Sequence, residues 1–150
     1  MQYMTLLIAA DHGGYALKQA IIAAGTTLTC VDLGTHSSDR VDYPFYADTL
    51  CQQLIESPSN TKGILICGTG IGVSIRANRY KGIRAALVHD RVTATMASAH
   101  NNANVLCLGG RTTSVETALL LIHDWLNTPF EGDRHINRLH QLDADVRYLV

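Results

Sequence analysis

The sequence is poor in charge, and the two signs are nearly balanced. Only 17% of its 150 residues are charged, and the formal net charge is −1. Such a chain offers no basic field for nucleic acid or for an anionic membrane, so we expect neither as a partner. An anionic ligand would have to be held by local groups.

Long apolar runs and paired cysteine motifs are also absent. Runs such as LLIAA and ALLLI are far shorter than the roughly 20 residues that cross a bilayer, and no basic segment leads into an apolar core at the N-terminus. We therefore expect a cytoplasmic protein. The sequence has no CxxC pair, which argues against a zinc site or a disulfide framework, and we expect three of the four cysteines to be buried free thiols. The cysteines are Cys30, Cys51, Cys67 and Cys107.

Short apolar runs alternate regularly with amphipathic segments. The runs are apolar on both faces, which is typical of parallel strands covered by helices on both sides. Predicted strands are 4–10, 28–34, 62–67, 84–89 and 104–109, and predicted helices are 15–24, 44–57, 70–80, 90–101, 113–127 and 135–147. The pattern predicts a Rossmann-like three-layer α/β/α sandwich with a five-stranded parallel sheet, in which residues 1–150 form one domain. Ligands in such folds bind at the carboxyl ends of the strands, where strand order reverses.

Polar residues follow the predicted strands. Those after the first, second, third and fifth strands are Asp11, His12, Tyr43, Cys67 and Arg111. His100 opens the segment before the fifth strand, and we expect it at the same rim as His12, where an imidazole can move protons near neutral pH. Four other histidines are expected at the surface: His36, His89, His123 and His140.

The segment ILICGTGIGVS, residues 64–74, combines a thiol with three glycines. Backbone N–H groups in such a turn, together with the following helix N-terminus, form a site for negative charge. The same field favours an ionised thiol, so Cys67 is a candidate base or nucleophile. A packing role for Cys67, with glycines that only permit a tight crossing, explains this segment equally well.

Three better-known loop patterns do not match this segment. A P-loop needs a lysine after its last glycine, and none is present there. The dinucleotide pattern GxGxxG matches only in part, because its last position is Val73. A cysteine phosphatase would carry an arginine six positions after its nucleophile, and that position is also Val73.

The C-terminal segment EGDRHINRLH, residues 131–140, spaces two arginines four residues apart. Arg134 and Arg138 would share one helix face and could grip a phosphate. The neighbouring face is apolar, with Ile136, Leu139 and Leu142. We expect this helix to pack on something, and a second subunit is a candidate.

Together these segments resemble the ribose-5-phosphate isomerase B and galactose-6-phosphate isomerase family. The resemblance covers nearly the whole chain and includes every predicted strand end that carries polar residues. The matching segments are AADHGGYALK (9–18), DLGTHSSDRVDYPFYA (32–47), GILICGTGIGVSIRANRYKGIRAAL (63–87), HNNANVLCLGGR (100–111) and WLNTPFEGDRHINRL (125–139).

The resemblance implies an aldose–ketose isomerase that acts on a sugar phosphate through a cis-enediol, with no metal and no organic cofactor. Cys67 matches the base that moves a proton between C1 and C2, Thr69 passes a proton between the substrate oxygens, and His100 matches the acid/base of ring opening. The substrate-binding positions implied are Asp11, His12, Tyr43, Gly68, Gly70, Ile71, Gly72, Val73 and Asn101, and the phosphate-binding positions are His12, Arg111, Arg134 and Arg138.

The resemblance also implies a homodimer, and two such dimers could associate further. Arg134 and Arg138 would then reach the phosphate from the partner subunit. Asp133 departs from the family pattern, which has glycine before the first arginine. Because Cys67 and His100 occur together with the matching tyrosine, ribose 5-phosphate is the favoured substrate. Allose 6-phosphate or galactose 6-phosphate is the first alternative, and a non-catalytic module that binds a sugar phosphate or nucleotide is the second.

Overall fold

One parallel sheet organises the chain. The computed structural model describes residues 4–25 and 28–146, and within them five strands lie in the order β2–β1–β3–β5–β4. The strands are β1 Thr5–Ala10, β2 Thr29–Asp32, β3 Thr61–Cys67, β4 Ala85–Leu87 and β5 Val105–Gly109. The helices are α1 Tyr15–Ala24, α2 Tyr43–Glu56, α3 Ile71–Ala77, α4 Arg91–Ala99, α5 Val115–Asn127 and α6 Arg134–Asp143. Every strand pair is parallel, so the predicted Rossmann-like sheet is confirmed.

Both faces of the sheet are covered, because successive side chains of each strand point to opposite faces. Leu6 and Ile8 of β1 pack with Trp125 in the core formed with α1, α4 and α5. Leu7 of β1 packs with Leu50 in the second core, under α2 and α3. The apolar runs of β1, β3 and β5 therefore correspond to strands buried on both sides, whereas the edge strands β2 and β4 are half-buried or exposed.

Three of the four cysteines are buried, the number that was predicted, and the exposed one is Cys30. Burial raises the pKa of Cys51 to about 12 and raises that of Cys107 well above its usual value. These two thiols are packing residues, and neither lies at the end of a strand.

Two helices end three or more residues before their predicted bounds, and the other helix bounds agree within two residues. Helix α3 ends at Ala77, several residues early, because the Asn78 side chain leaves the helix and pairs with the backbone of Ala85. Helix α6 ends at Asp143 rather than continuing, and the last four predicted residues include one outside the described part of the chain. No helix in the described ranges combines the length and apolarity needed to span a bilayer.

Strand order reverses between β1 and β3, so the loops after these strands flank the crevice where ligands bind in such sheets. Glycines let the loops approach closely: a Cβ on Gly13 would lie 3.0 Å from the amide nitrogen of Gly68. The loop after β5 joins them, because the amide of Gly110 donates to the carbonyl of Cys67 at 2.8 Å. The backbone around Cys67 is therefore fixed from both neighbouring strands.

Candidate active site in two halves

Cys67 ends β3 inside this loop cluster. Its side chain is buried, with the residue 5% exposed, and its Sγ accepts a hydrogen bond from the amide of Gly70 at 3.2 Å. Gly70 has φ of 78°, a left-handed conformation that directs this amide back at the sulfur and that other residues rarely adopt. The thiol thus has a fixed position at the start of α3, within reach of a ligand in the crevice.

The loop after Cys67 supplies further polar groups. The Thr69 side chain is exposed, and its Oγ1 accepts from the amide of Ile71 at 3.3 Å, which leaves its own hydroxyl proton free to donate elsewhere. Gly72 and Val73 lie in the first turn of α3, where helical geometry provides no acceptor for their amides. Of the predicted anion-binding amides, those of Gly70 and Ile71 are thus engaged inside the loop.

Four side chains, from neighbouring loops and from the first residue of α2, surround this segment. The Asp11 carboxylate is buried and accepts from the amide of Gly14 at 3.1 Å. The Nδ1 atom of His12 lies 3.3 Å from the backbone of Val41, in the long polar loop. The two remaining side chains, Tyr43 and Arg111, cover glycines of the Cys67 loop.

These glycine contacts are close. A Cβ on Gly72 would lie 2.5 Å from Cζ of Tyr43, and one on Gly68 would lie 3.0 Å from Nη1 of Arg111. Glycine is thus required at both positions if the two side chains are to lie where they do. We call the cluster of residues 11, 12, 43, 67–73 and 111 the carboxyl-edge half-site.

His100 and Asn101 lie elsewhere, and the expectation that His12 and His100 share a rim is wrong for a single chain. Helix α4 runs antiparallel to the strands and ends at Ala99, which returns the chain to the amino edge of the sheet. There Asn104 accepts from the amide of Gly63 at 2.9 Å, near the start of β3. The five residues of β5 then cover about 16 Å before the carboxyl edge is reached.

The amino-edge residues form a cluster of their own. The imidazole rings of His100 and His135 stack with centroids 4.2 Å apart and planes inclined by 17°. Oε2 of Glu131 lies 3.8 Å from Nε2 of His100, 3.5 Å from Nε2 of His135 and 3.6 Å from Nη2 of Arg134. We call residues 100, 101, 131, 134, 135 and 138 the amino-edge half-site.

Helix α6 carries three of the six residues of this half-site and is fixed at both ends. The amide of Glu131, just before the helix, donates to the carbonyl of Ala99 at 3.0 Å. At the far end, Asp143 pairs with Arg84 at 2.9 Å, and the Nε atom of Arg84 also donates to the carbonyl of Asn101 at 3.1 Å. Arg134 and Arg138 are both exposed on this helix, as a ligand or a partner would require.

His135 and Glu131 lie in this cluster beside His100 and were not predicted from the sequence. His135 is 4% exposed, and its burial, followed by the positive charges of Arg134, His100 and Arg138, lowers its pKa, while Glu131 opposes the shift. The available signal was helical spacing, because His135 precedes the buried Leu139 by four residues and so shares its face. The four histidines predicted at the surface are all exposed.

The donor atoms of His100, Glu131 and His135 all lie within 4.8 Å of one another, which raises the question of a metal ion. Zinc binds an imidazole nitrogen at about 2.0–2.1 Å, in the plane of the ring. Two nearly parallel rings stacked 4.2 Å apart cannot both point a lone pair at one ion between them. The three residues therefore do not fit a metal in this arrangement.

A family model described as Ribose/Galactose Isomerase matches residues 6–142. The chain belongs to this family, and it is an isomerase. It is 39% identical to the ribose-5-phosphate isomerase B of Escherichia coli, over 89% of this chain and 91% of that protein.

Solved structures of the isomerase family have the same fold. The ribose 5-phosphate isomerase of Thermotoga maritima superposes with a TM-score of 0.89 at 42% identity, covering 95% of this chain and 99% of that one. The Mycoplasma genitalium enzyme with bound ribulose-5-phosphate gives a TM-score of 0.89 at 38% identity, covering 95% and 96%. The similarity extends over nearly the full length of each chain.

Proposed function

We propose that this isomerase interconverts D-ribose 5-phosphate and D-ribulose 5-phosphate through a cis-enediol, with Cys67 as the base. The observation that carries the proposal is the Cys67 sulfur, held by the Gly70 amide at 3.2 Å in the crevice between β1 and β3. The pentose is supported by the relatives named ribose-5-phosphate isomerase B. The reaction would belong to the non-oxidative branch of the pentose phosphate pathway.

The isomerisation step needs one proton moved between neighbouring carbons. The Cys67 thiolate takes the proton from C2 of the open-chain aldose, and the electron pair left behind forms the C1–C2 double bond of the enediol. Return of the proton to C1 gives the ketose. Thr69 carries a proton between O1 and O2, and the amides of Gly72 and Val73 are aimed at the oxyanion as it develops.

Ring opening comes first, because ribose 5-phosphate is mostly a furanose. A proton leaves O1, the C1–O1 bond becomes a carbonyl, the C1–O4 bond breaks and its electron pair on O4 takes up a proton. His100 is the proposed acid/base for these two transfers. Asp11 orients the sugar hydroxyls from the carboxyl edge.

The two half-sites lie at opposite edges of the sheet, so one complete site needs two chains. In the proposed homodimer the carboxyl-edge half-site of one protomer faces the amino-edge half-site of its partner. Exposed apolar side chains flank both halves: Ile71 and Ile75 are 50% and 57% exposed on α3, and Ile136 and Leu142 are 46% and 62% exposed on α6. A two-fold contact would cover both sets at once.

The phosphate would then be held from two chains. His12 and Arg111 contribute from the carboxyl edge, while Arg134 and Arg138 reach it from the partner subunit. Arginine forks bind phosphate oxygens in pairs, and Arg138 has no ion-pair partner among the described residues. Asn101 contacts the sugar from the same side as His100.

Two alternatives predict different behaviour. A hexose-phosphate isomerase would use the same thiol and would show a higher kcat/KM for allose 6-phosphate or galactose 6-phosphate. A nucleotide-binding module is disfavoured because the residue that would hold a ribose is already engaged. In dinucleotide-binding folds an acidic residue near the end of the second strand binds the ribose hydroxyls. Here that residue, Asp32, instead accepts from the buried Lys18 at 2.7 Å and from the amide of Gly34 at 2.9 Å.

The experiment measures isomerisation of ribose 5-phosphate, allose 6-phosphate and galactose 6-phosphate in the presence of a chelator, before and after iodoacetamide treatment. We expect pentose turnover that survives the chelator and is lost on alkylation. Because Cys30 is exposed and would also react, a Cys30→Ser variant is the matched control and should lose activity to the same extent. Near-normal turnover by Cys67→Ala would contradict the mechanism, and preference for a hexose phosphate would contradict the substrate.

A further inference from the structure

We propose that Glu131 and His135 are positioning residues for His100, the acid/base of ring opening. His135 fixes the plane of the His100 ring, and Glu131 offsets the positive charge that His100 acquires. This inference rests on the role proposed for His100. Neither Glu131 nor His135 takes part in the proposed proton transfer at Cys67 or in the proposed contacts to substrate and phosphate.

The geometry indicates that His135 fixes the plane of His100. His100 is partly exposed, with 35% of its side chain accessible, whereas the His135 side chain is 5% exposed and cannot easily move. The rings stack at 4.2 Å with an inclination of 17°, so rotation of His100 would break this contact. A partly exposed imidazole is thereby packed against a buried one.

The Glu131 carboxylate is shared by three groups that carry or can acquire positive charge, His100, His135 and Arg134. Oε2 of Glu131 lies within 3.8 Å of both Nε2 atoms, and Arg134 approaches the same oxygen at 3.6 Å. Arg138 is the other positive group that acts on His135. When His100 takes the proton from O1, its positive charge appears beside Glu131 and against a neutral, stacked ring.

The Nε2 atom of His135 is buried and has no hydrogen-bond partner among the described residues. Such an atom destabilises a fold, and an apolar ring of similar shape would avoid the cost. If His135 only packed in the core, an apolar ring would give a more stable fold. The nitrogen is explained by its position 3.5 Å from the Glu131 carboxylate, where it acts on the group beside His100.

The test compares overall isomerisation with proton exchange, since only isomerisation requires the ring step. The equilibrium constant ties the two directions together, so a slower ring step lowers kcat/KM from ribose 5-phosphate and from ribulose 5-phosphate by the same factor. We expect Glu131→Gln and His135→Phe to lower this kcat/KM by about tenfold, part of the roughly 10²–10⁴-fold that a placed acid/base contributes. Ribulose 5-phosphate is always open-chain, because the hydroxyl that could close a five-membered ring carries the phosphate, so exchange of its C1 hydrogen with D2O needs only the Cys67 base. The rate of this exchange should change by less than about twofold.

Stability separates this role from a structural one. His135→Phe should melt at the same temperature as the wild type or higher, because it removes the unpaired nitrogen while keeping a flat ring under His100. Glu131→Asp should recover part of the isomerisation rate that Glu131→Gln loses. His140→Gln, at an exposed histidine on the same helix, is the matched control and should change neither isomerisation nor exchange.

Equal losses of isomerisation and of C1 hydrogen exchange, or no loss of isomerisation, would overturn the assignment of Glu131 and His135. A wild-type enzyme that isomerises neither ribose 5-phosphate nor ribulose 5-phosphate would instead overturn the proposed function. A His100→Asn variant that loses isomerisation and exchange equally would overturn the ring-opening role on which the inference rests.

Discussion

A dimer built from two different inactive chains tests whether one site needs two protomers. Cys67→Ala removes the carboxyl-edge base, and His100→Asn removes the amino-edge acid/base. In a two-fold dimer with composite sites, pairing these chains places both lesions in one site and leaves the other site intact. The mixed dimer should therefore have about half of wild-type activity, although each parent homodimer is nearly inactive.

Co-expression with two affinity tags and sequential purification isolates the mixed dimer, and ribose 5-phosphate turnover is measured per dimer. The matched control pairs a wild-type chain with a chain that carries both substitutions. Composite sites then each contain one lesion, so this dimer should be nearly inactive, whereas sites confined to one chain would give about half activity. Activity in the control dimer and none in the first would refute the shared site.

Three further perturbations follow from local geometry. Asp133 has φ of 48° and ψ of −122°, where a side chain is strained, so Asp133→Gly should raise the free energy of unfolding in urea by about 1 kcal/mol; an unchanged or lower value would contradict the strain. The two hydrogen bonds from Arg91 lower the pKa of Asp124 from 3.8 to about 2, so the pair stabilises the fold above the unfolded pKa and the benefit is lost as the pH falls through about 2. The difference in urea midpoint between wild type and Arg91→Ala should accordingly be largest at pH 7 and should decrease as the pH approaches 2. A difference that does not change with pH would show that the ion pair is not its cause. Gly72→Ala should displace Tyr43 and lower kcat/KM for ribose 5-phosphate by about tenfold or more with little change in melting temperature, and retained activity would show that Tyr43 need not pack on residue 72.

Much of the fold could be predicted from the sequence because its signals are local. Apolar runs of strand length, separated by amphipathic segments, specify strands covered on both faces, and a parallel sheet is the arrangement that buries them. The carboxyl-edge half-site was predictable for the same reason, since Asp11 directly follows β1 and Cys67 is the last residue of β3. Residues at the carboxyl ends of parallel strands meet whatever the details of packing.

The amino-edge half-site could not be predicted in this way, because its residues do not follow a strand. His100 stands before a strand, and a linear pattern does not show that the helix preceding it has carried the chain to the opposite edge of the sheet. His135 lies among charged residues in the sequence, yet the packing of α6 buries it against His100. Only tertiary contacts could pair residues 31 to 35 positions apart in the chain.

The sequence by itself determined the sheet, the position of the Cys67 loop and the family resemblance, because each depends on short motifs whose structure is set locally. Tertiary structure decided that Cys67 and His100 lie at opposite edges, and that His100 is held by Glu131 and His135. The physical reason is the antiparallel return of α4 and the docking of α6, which are fixed by long-range packing and not by spacing along the chain.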